Sequence, residues 1–268
     1  MWRAVLAARS SVTAALLELA VAVATAAGAV LRDRQGAAGT VTYKTTDTDP
    51  VSDADKASER LITERLLAAR PDDGVLGEEG ADRAGSSGLR WVIDPLDGTV
   101  NYLYGMPAYC VSIACEDDRG AVVGVVHQPS TGSTYTAARG GGSFCNGRAL
   151  TANDPVPLAR ALIGTGFAYD APTRAHQGEV LARVLPQVRD VRRVGSAALD
   201  LCMVASGLLD GYYEDTTSHW DWAAGALIAA EAGARVEIVG DAPLAAGPAL
   251  FSPLRELLQA AGRWQSSG

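Results

Sequence analysis

The stretch Trp91-Val92-Ile93-Asp94-Pro95-Leu96-Asp97-Gly98-Thr99-Val100-Asn101-Tyr102 is the most informative part of this 268-residue chain. The apolar run at residues 89–93 is typical of a buried strand, and Asp94-Pro95 predicts its end. Asp97-Gly98 then predicts a tight turn that opens a helix. Both carboxylates should project from one strand end, where their mutual repulsion favours a bound cation. Because Mg²⁺ prefers oxygen ligands, the turn predicts half of a metal site.

Two other acidic segments could supply the other half. Gly74–Gly77 predicts a short strand, and Glu78-Glu79 follow it. Asp221 precedes a helical pattern at residues 223–231, which places it near a helix N-terminus. Each acidic segment also has an ordinary structural explanation that fits equally well. Asp97-Gly98 could be only a turn, Glu78-Glu79 a solvated loop and Asp221 a helix N-cap. The residues alone leave both interpretations open.

The combined pattern resembles the inositol monophosphatase family of Mg²⁺-dependent, Li⁺-sensitive phosphomonoesterases. Three segments resemble its signatures, in the family's order and with similar spacing: Gly77-Glu78-Glu79, the stretch from Asp94 to Tyr102, and Trp220-Asp221-Trp222-Ala223-Ala224-Gly225. The resemblance extends over roughly residues 40–240 and includes residues 44–55, 138–140, 146–147 and 195–201. The resemblance implies a metal-dependent phosphatase.

The resemblance also implies roles for individual residues. It implies two or three Mg²⁺ ions, held by four carboxylates and one backbone carbonyl: Glu78, Asp94, Asp97, Asp221 and the carbonyl of Leu96. Thr99 corresponds to the hydroxyl that contacts the nucleophilic water, and Asp55 to the acid that hydrogen-bonds this threonine. We count Thr99, Asp55 and Glu78 as candidate catalytic residues, because water attacks phosphorus poorly unless a metal and acceptor groups activate it.

The substrate should be held by backbone amides and by an acid. Gly98 and Thr99 open a helix whose free N–H groups and dipole favour a phosphate. The resemblance implies further substrate contacts from Asp97, Gly195, Ser196, Ala197, Glu214, Asp221 and Thr165. Glu214 could instead be an ordinary strand-end acid, and Thr165 an ordinary strand residue. Tyr102, Trp222 and residues 216–218 depart from the usual family pattern, so they could reshape the mouth of the pocket.

Composition agrees with an enzyme that has one large core. The chain is 48% hydrophobic and 20% charged, and its net charge of −8 argues against direct nucleic-acid binding. The four cysteines lack a Cys-x-x-Cys pair and the three histidines lack zinc-site spacing, so we expect reduced thiols and a cytoplasmic location. Residues 11–31 are apolar enough to suggest a signal or membrane segment. Glu18 interrupts this run and alanines dominate it, so we predict a packed core helix and no membrane partner.

The element pattern predicts an α+β fold, a layered αβαβα sandwich of the sugar-phosphatase type. We expect one domain over residues 1–268, with halves at 1–152 and 153–268 and the site between them. Helices are predicted at 53–69, 173–185, 196–206, 220–232 and 253–261. Strands are predicted at 74–77, 89–93, 109–115, 121–127, 134–138, 143–145, 161–164 and 209–213.

We predict a phosphatase that acts on a small polyol phosphate, above all myo-inositol 1-phosphate. Related families act on fructose 1,6-bisphosphate, histidinol phosphate and 3′-phosphoadenosine 5′-phosphate, and these substrates stay open. A regulatory binding protein with residual phosphatase activity is the alternative from another class. The resemblance further implies a homodimer.

Overall fold

The computed structural model describes the backbone of residues 2–36, 41–43 and 50–263, and the side chains of residues 12–36 and 53–263. Residues 44–49, part of one segment that resembles the family, lie outside it. The helices within the described residues are α1 (Trp2–Arg34), α2 (Asp53–Ala69), α3 (Thr99–Leu103), α4 (Ala171–Val184), α5 (Ala197–Ala205), α6 (His219–Glu231) and α7 (Pro248–Ala261).

The described strands form three sheets. A small antiparallel pair joins β1 (Val41–Tyr43) and β2 (Pro50–Ser52). The eight-stranded sheet contains β3 (Gly74–Gly77), β4 (Asp82–Arg83), β5 (Arg90–Asp97), β6 (Cys110–Asp117), β7 (Gly120–Gln128), β8 (Ser133–Ala138), β9 (Gly142–Cys145) and β10 (Arg148–Ala149), in the order β10-β9-β8-β7-β6-β5-β3-β4. The five-stranded sheet contains β11 (Leu162–Thr165), β12 (Asp190–Arg192), β13 (Gly211–Tyr213), β14 (Arg235–Val239) and β15 (Ala242–Ala246), in the order β12-β11-β13-β15-β14.

The layers follow the predicted αβαβα order. Helices α1 and α2 cover one face of the eight-stranded sheet, and α5 and α6 fill the space between the two large sheets. Helices α4 and α7 cover the outer face of the five-stranded sheet. The prediction of a layered α+β sandwich is therefore confirmed, and the predicted meander is the run from β6 to β9.

Helix α1 packs on the eight-stranded sheet through one stripe. Its buried residues recur at helical spacing: Leu16, Ala20, Val23, Ala24, Ala27 and Leu31. Gly28 allows close approach, because a Cβ there would lie 2.5 Å from the ring of His127. The segment Val12–Arg34 is long and apolar enough to cross a membrane by length and composition alone. In this fold its buried stripe serves as part of the core, as predicted.

Two boundaries differ by at least four residues from the sequence prediction. Strand β5 continues through Asp94-Pro95 to Asp97, because a register shift between Asp94 and Asp97 leaves Pro95 out of the ladder on β6. Helix α7 begins at Pro248 rather than Pro253, since a proline fits the first turn and Gly247 precedes it. The hairpin of β14 and β15 was not predicted, and it completes the smaller sheet.

Buried Asp73 ties the end of α2 to β5. Its carboxylate accepts hydrogen bonds from Trp91 Nε1 at 3.0 Å, Ser87 Oγ at 2.6 Å and Arg70 Nε at 2.9 Å. Burial by itself raises the pKa of Asp73, but these donors outweigh it and lower the pKa below the usual value. The group therefore stays ionised in the native state at neutral pH.

We predict that Asp73→Ala lowers the free energy of unfolding by about 3 kcal/mol at pH 7, because it leaves buried donors unpaired. Since the native pKa of Asp73 is depressed, its contribution is present above its unfolded pKa of about 3.9 and is lost as the pH falls through the native value. Urea unfolding of both proteins at pH 7 and at progressively lower pH measures the difference. If the difference in free energy of unfolding between the two proteins does not shrink as the pH falls, an ionised Asp73 is not the source of the stability.

Candidate active site

The bulge in β5 brings two acids to the same edge of the sheet. The Oδ1 atom of buried Asp94 accepts the Leu96 N–H at 2.9 Å. The Oδ2 atom of Asp97 accepts the Ser196 hydroxyl at 2.7 Å and the Ala198 N–H at 2.8 Å. Asp97 is thus fixed to the first turn of α5, where the backbone amides favour a negative charge. The two acids therefore have different environments although they are three residues apart.

Glu78 and Asp221 approach from neighbouring elements. Strand β3 runs parallel to β5, and the Glu78 N–H donates to the Ile93 carbonyl at 3.2 Å, which places Glu78 beside Asp94. Asp221 lies in the first turn of α6, as predicted, and its carboxylate accepts the Ser218 N–H at 2.6 Å. The three acidic segments of the sequence therefore converge.

The charges of these acids oppose one another. Burial, followed by the charges of Glu78, Asp97 and Asp221, raises the pKa of Asp94 well above its usual value, and Glu78 also hydrogen-bonds it. Burial, then Asp97 and Glu78, likewise raises the pKa of Asp221. Burial raises the pKa of Asp97 too, against the lowering effect of the Ser196 hydrogen bond. Four ionised carboxylates here would require a compensating cation.

The carboxylate and carbonyl oxygens of the cluster are the type of ligand atom that a hard divalent cation prefers. Within the part of the chain that the structure describes, no three acidic, histidine or cysteine side chains are already arranged as a metal site. The metal-ligand assignment stays a prediction.

Thr99 and Asp55 lie beside this cluster. The Thr99 hydroxyl is 3.2 Å from Asp55 Oδ1 and 3.1 Å from the Leu96 carbonyl oxygen. Asp55 is buried at the start of α2. One hydroxyl hydrogen is shared between two acceptors, so the lone pairs of Thr99 Oγ1 can accept a hydrogen bond from a water. This arrangement suits the predicted role of the pair in activating a nucleophilic water.

Gly98 and Asn101 shape the turn that leads into α3. Gly98 has φ +91°, and a Cβ there would lie 2.7 Å from the Ala108 carbonyl oxygen, so only glycine fits. The Asn101 side chain donates to the carbonyls of Ala108 at 2.6 Å and Val194 at 2.9 Å. The turn is thereby held to the segment before α5. Phosphate binding by Gly98 and Thr99 stays a prediction.

The predicted substrate segment before α5 has a second role. Gly195 precedes the helix, Ser196 is its N-cap, and Ala197 is its first residue. The Ser196 hydroxyl donates to Asp97 and accepts the Leu199 N–H at 3.3 Å. The residue therefore fixes a carboxylate of the acidic cluster at the same time as it caps α5.

Glu214 follows β13 and lies in tight surroundings. Its Oε2 atom accepts the Tyr212 hydroxyl at 2.8 Å, and its N–H donates to the Pro243 carbonyl at 3.2 Å. A Cβ on Gly166 would overlap the Glu214 carboxylate. Burial raises the pKa of Glu214 to about 7, and the Tyr212 hydrogen bond opposes this shift.

Thr165 is not brought to the site. It is buried and its hydroxyl bonds the Tyr213 hydroxyl, on the face of the sheet that packs against α4 and α7. Its neighbours Gly164 and Gly166 lie against Asp200 and Glu214 on the other face. Adjacent residues of a strand point to opposite faces of the sheet, so Thr165 lies on one face and Gly164 and Gly166 on the other. The prediction that Thr165 lines the pocket does not agree with this placement.

Sequence reasoning missed three residues around Glu214. Tyr212 bonds it, buried Asp200 raises the pKa of Tyr212, and Arg193 lowers the pKa of Glu214. Tyr212 could have been found from strand periodicity, because it is two residues before Glu214. Asp200 could have been found as the one acid in the apolar pattern of residues 197–205. Nothing in the local pattern singles out Arg193.

His219 anchors the start of α6. Its Nε2 atom lies 2.8 Å from Glu116 Oε1, and its ring stacks on Trp222 with centroids 4.4 Å apart. These contacts hold the first turn of α6, and with it Asp221, against β6.

Comparisons with known proteins agree with this site. The model of the inositol monophosphatase family matches residues 13–258. The inositol-1-monophosphatase of Mycobacterium leprae is 46% identical over 268 residues, covering 90% of this chain and 92% of its own. The Nus factor SuhB of Xylella fastidiosa is 43% identical over 189 residues, covering 70% and 68%. The solved structure of Mycobacterium tuberculosis SuhB has a TM-score of 0.82 at 44% identity, covering 92% and 97%.

The fold, the acidic cluster and these similarities define a phosphoric monoester hydrolase. The chain belongs to the inositol monophosphatase family. The family prediction made from the three sequence signatures is confirmed.

We predict that Gly166→Ala weakens binding of a polyol phosphate, because the added methyl group displaces the Glu214 carboxylate. A misplaced carboxylate loses its charge-assisted hydrogen bond to the substrate, which is worth about 1.5–3 kcal/mol, so the KM should rise by roughly tenfold to a hundredfold. Steady-state kinetics measure the change. Gly178→Ala in α4 is the matched control, since nothing lies within 4 Å of its added Cβ. An unchanged KM in Gly166→Ala would separate Glu214 from substrate binding.

Proposed function

We propose that this enzyme hydrolyses myo-inositol 1-phosphate to myo-inositol and phosphate in an Mg²⁺-dependent reaction. The observation that carries the proposal is the convergence of Glu78, Asp94, Asp97 and Asp221 beside the Thr99–Asp55 pair. The name inositol-1-monophosphatase of the Mycobacterium leprae relative supports the substrate.

The residues of the chain divide the work. The four carboxylates and the Leu96 carbonyl would hold Mg²⁺. Thr99 Oγ1 would orient the attacking water and take its proton as the Thr99 hydroxyl proton passes to the Asp55 carboxylate. When bound, Mg²⁺ supplies Lewis acidity, which stabilises charge on the phosphate and makes water a better nucleophile. The Gly98 turn gives the phosphate access to backbone N–H groups.

Glu214 is the residue that we expect to select a polyol monophosphate as substrate. A carboxylate accepts hydrogen bonds from ring hydroxyls and repels a second phosphate group. It therefore favours an inositol monophosphate over fructose 1,6-bisphosphate and 3′-phosphoadenosine 5′-phosphate. A panel of these esters, together with histidinol phosphate, tests the order of preference.

A regulatory binding function is the second candidate. The similarity to a protein named Nus factor SuhB supports it. Since Asp94→Asn should remove catalysis without altering the outer surface, a cellular role that survives this substitution would favour binding over turnover. The homodimer, the absence of direct nucleic-acid contacts and the cytoplasmic location stay proposals from the sequence.

We predict that EDTA abolishes phosphatase activity and that added Mg²⁺ restores it, because four crowded carboxylates need a cation to hold phosphate. From the family resemblance, Li⁺ should inhibit. Release of phosphate is the measurement. Full activity in EDTA would exclude a metal-dependent mechanism.

The variant Asp94→Asn, which removes one carboxylate of the cluster, should lower turnover by at least ~10²-fold, a loss typical of one strong electrostatic group.

We predict that Glu214→Gln raises the KM for myo-inositol 1-phosphate far more than the KM for p-nitrophenyl phosphate, which has no ring hydroxyls. A charge-assisted hydrogen bond is worth about 1.5–3 kcal/mol, or roughly tenfold to a hundredfold in affinity. Parallel kinetics with both esters measure the difference, at a pH above the Glu214 pKa of about 7 so that the carboxylate is ionised. Equal losses would mean that Glu214 acts through the fold or the acidic cluster.

A further inference from the structure

Among the described residues, one side chain donates a direct hydrogen bond to the Glu214 carboxylate. The Tyr212 hydroxyl donates to Glu214 Oε2 at 2.8 Å. The backbone of Gly166 lies close against the same carboxylate and limits its movement. The contact engages one carboxylate oxygen, so Oε1 is the oxygen left to accept a substrate hydroxyl.

Tyr212 is itself firmly placed. It is fully buried, and its ring lies close to Gly164, where a Cβ would be 3.3 Å from Tyr212 Cδ2. Burial and the nearby acids Glu214 and Asp200 raise its pKa well above 10, so the hydroxyl keeps its proton and acts as a donor. A rigid donor beside a recognition carboxylate suits a role in setting its orientation.

We propose that Tyr212 is a positioning residue that fixes the orientation of the Glu214 carboxylate and thereby strengthens selection of hydroxyl-bearing phosphate esters. This inference rests on the proposed function of Glu214 as the acceptor of substrate hydroxyls. Because Tyr212 is fully buried and its hydroxyl donates to Glu214, we assign it a role that acts through Glu214.

The next residue in the chain offers a matched control. Tyr213 is buried in the same strand but faces the opposite side of the sheet, where its hydroxyl bonds Thr165. Tyr213→Phe therefore removes a buried tyrosine hydroxyl from β13 without touching Glu214. Any effect that comes only from a weakened strand should be common to Tyr212→Phe and Tyr213→Phe.

The first experiment compares Tyr212→Phe, Tyr213→Phe and Glu214→Gln, each loaded with Mg²⁺. Tyr212→Phe should raise the KM for myo-inositol 1-phosphate by at least roughly fivefold, and it should leave the KM for p-nitrophenyl phosphate within about twofold. Tyr213→Phe should not discriminate between the two esters. Equal behaviour of the two phenylalanine variants would overturn the proposal.

A second measurement does not depend on turnover. The pKa of Glu214, which the Tyr212 hydrogen bond lowers, should rise in Tyr212→Phe and stay the same in Tyr213→Phe. Site-resolved NMR of ¹³C-labelled glutamate reports it. The other ionisable groups that act on Glu214 or Tyr212 are common to all variants: Asp97, Asp200, Arg193 and Asp215. An unchanged Glu214 pKa in Tyr212→Phe would overturn the proposal.

A further variant covers the case in which Tyr212→Phe does not fold. Difluorotyrosine at position 212 keeps the ring and the hydroxyl but makes the hydroxyl a stronger donor, so the Glu214 pKa should fall instead of rise. A pKa that does not fall would overturn the inference. If Glu214→Gln shows no ester discrimination, the proposed role of Glu214 fails. If Glu214→Gln discriminates and Tyr212→Phe does not, only the role of Tyr212 fails.

Discussion

The crowding of four carboxylates around the bulge of β5, two of them buried, is the constraint on which the rest of the structure depends. Burial disfavours the charged forms of Asp94, Asp97 and Asp221, and the charges of neighbouring acids, Glu78 among them, add to this at Asp94 and Asp221. The surrounding elements supply part of the compensation through donors such as the Ser196 hydroxyl and the Ser218 N–H. A site that a protein stabilises only partly by itself is one that a cation can complete.

Several ordinary structural features therefore position the acids of the cluster. The N-terminus of α5 supports Asp97, the first turn of α6 presents Asp221, and the parallel pairing of β3 with β5 brings Glu78 beside Asp94. The β5 bulge brings Asp94 and Asp97 to one edge although a regular strand would turn them to opposite faces. The chemistry thus rests on the ends and irregularities of elements, while their regular parts form the core.

Much of the fold and of the site could be predicted from the sequence. The Asp-Pro-Leu-Asp-Gly turn, the acid after β3 and the acid at the start of α6 carry local signals, and their order along the chain identified the family. The continuation of β5 through Pro95 could not be predicted, because it depends on pairing with β6. Thr165 points away from Glu214 because of the face of β11 on which it lies. No local sequence pattern shows which face of β11 packs against α5.

The hydrogen bond between Asp97 and the start of α5 has a mechanical consequence. Asp97 ends a strand of the eight-stranded sheet, whereas Ser196 and Ala198 belong to the helical layer that also covers the five-stranded sheet. A ligand held by Asp97 and Asp221 would bridge the same two layers, so it would act as a reversible cross-link. Ligand binding would then resist sliding of the layers, and the energy of that binding would add to the stability of the whole sandwich.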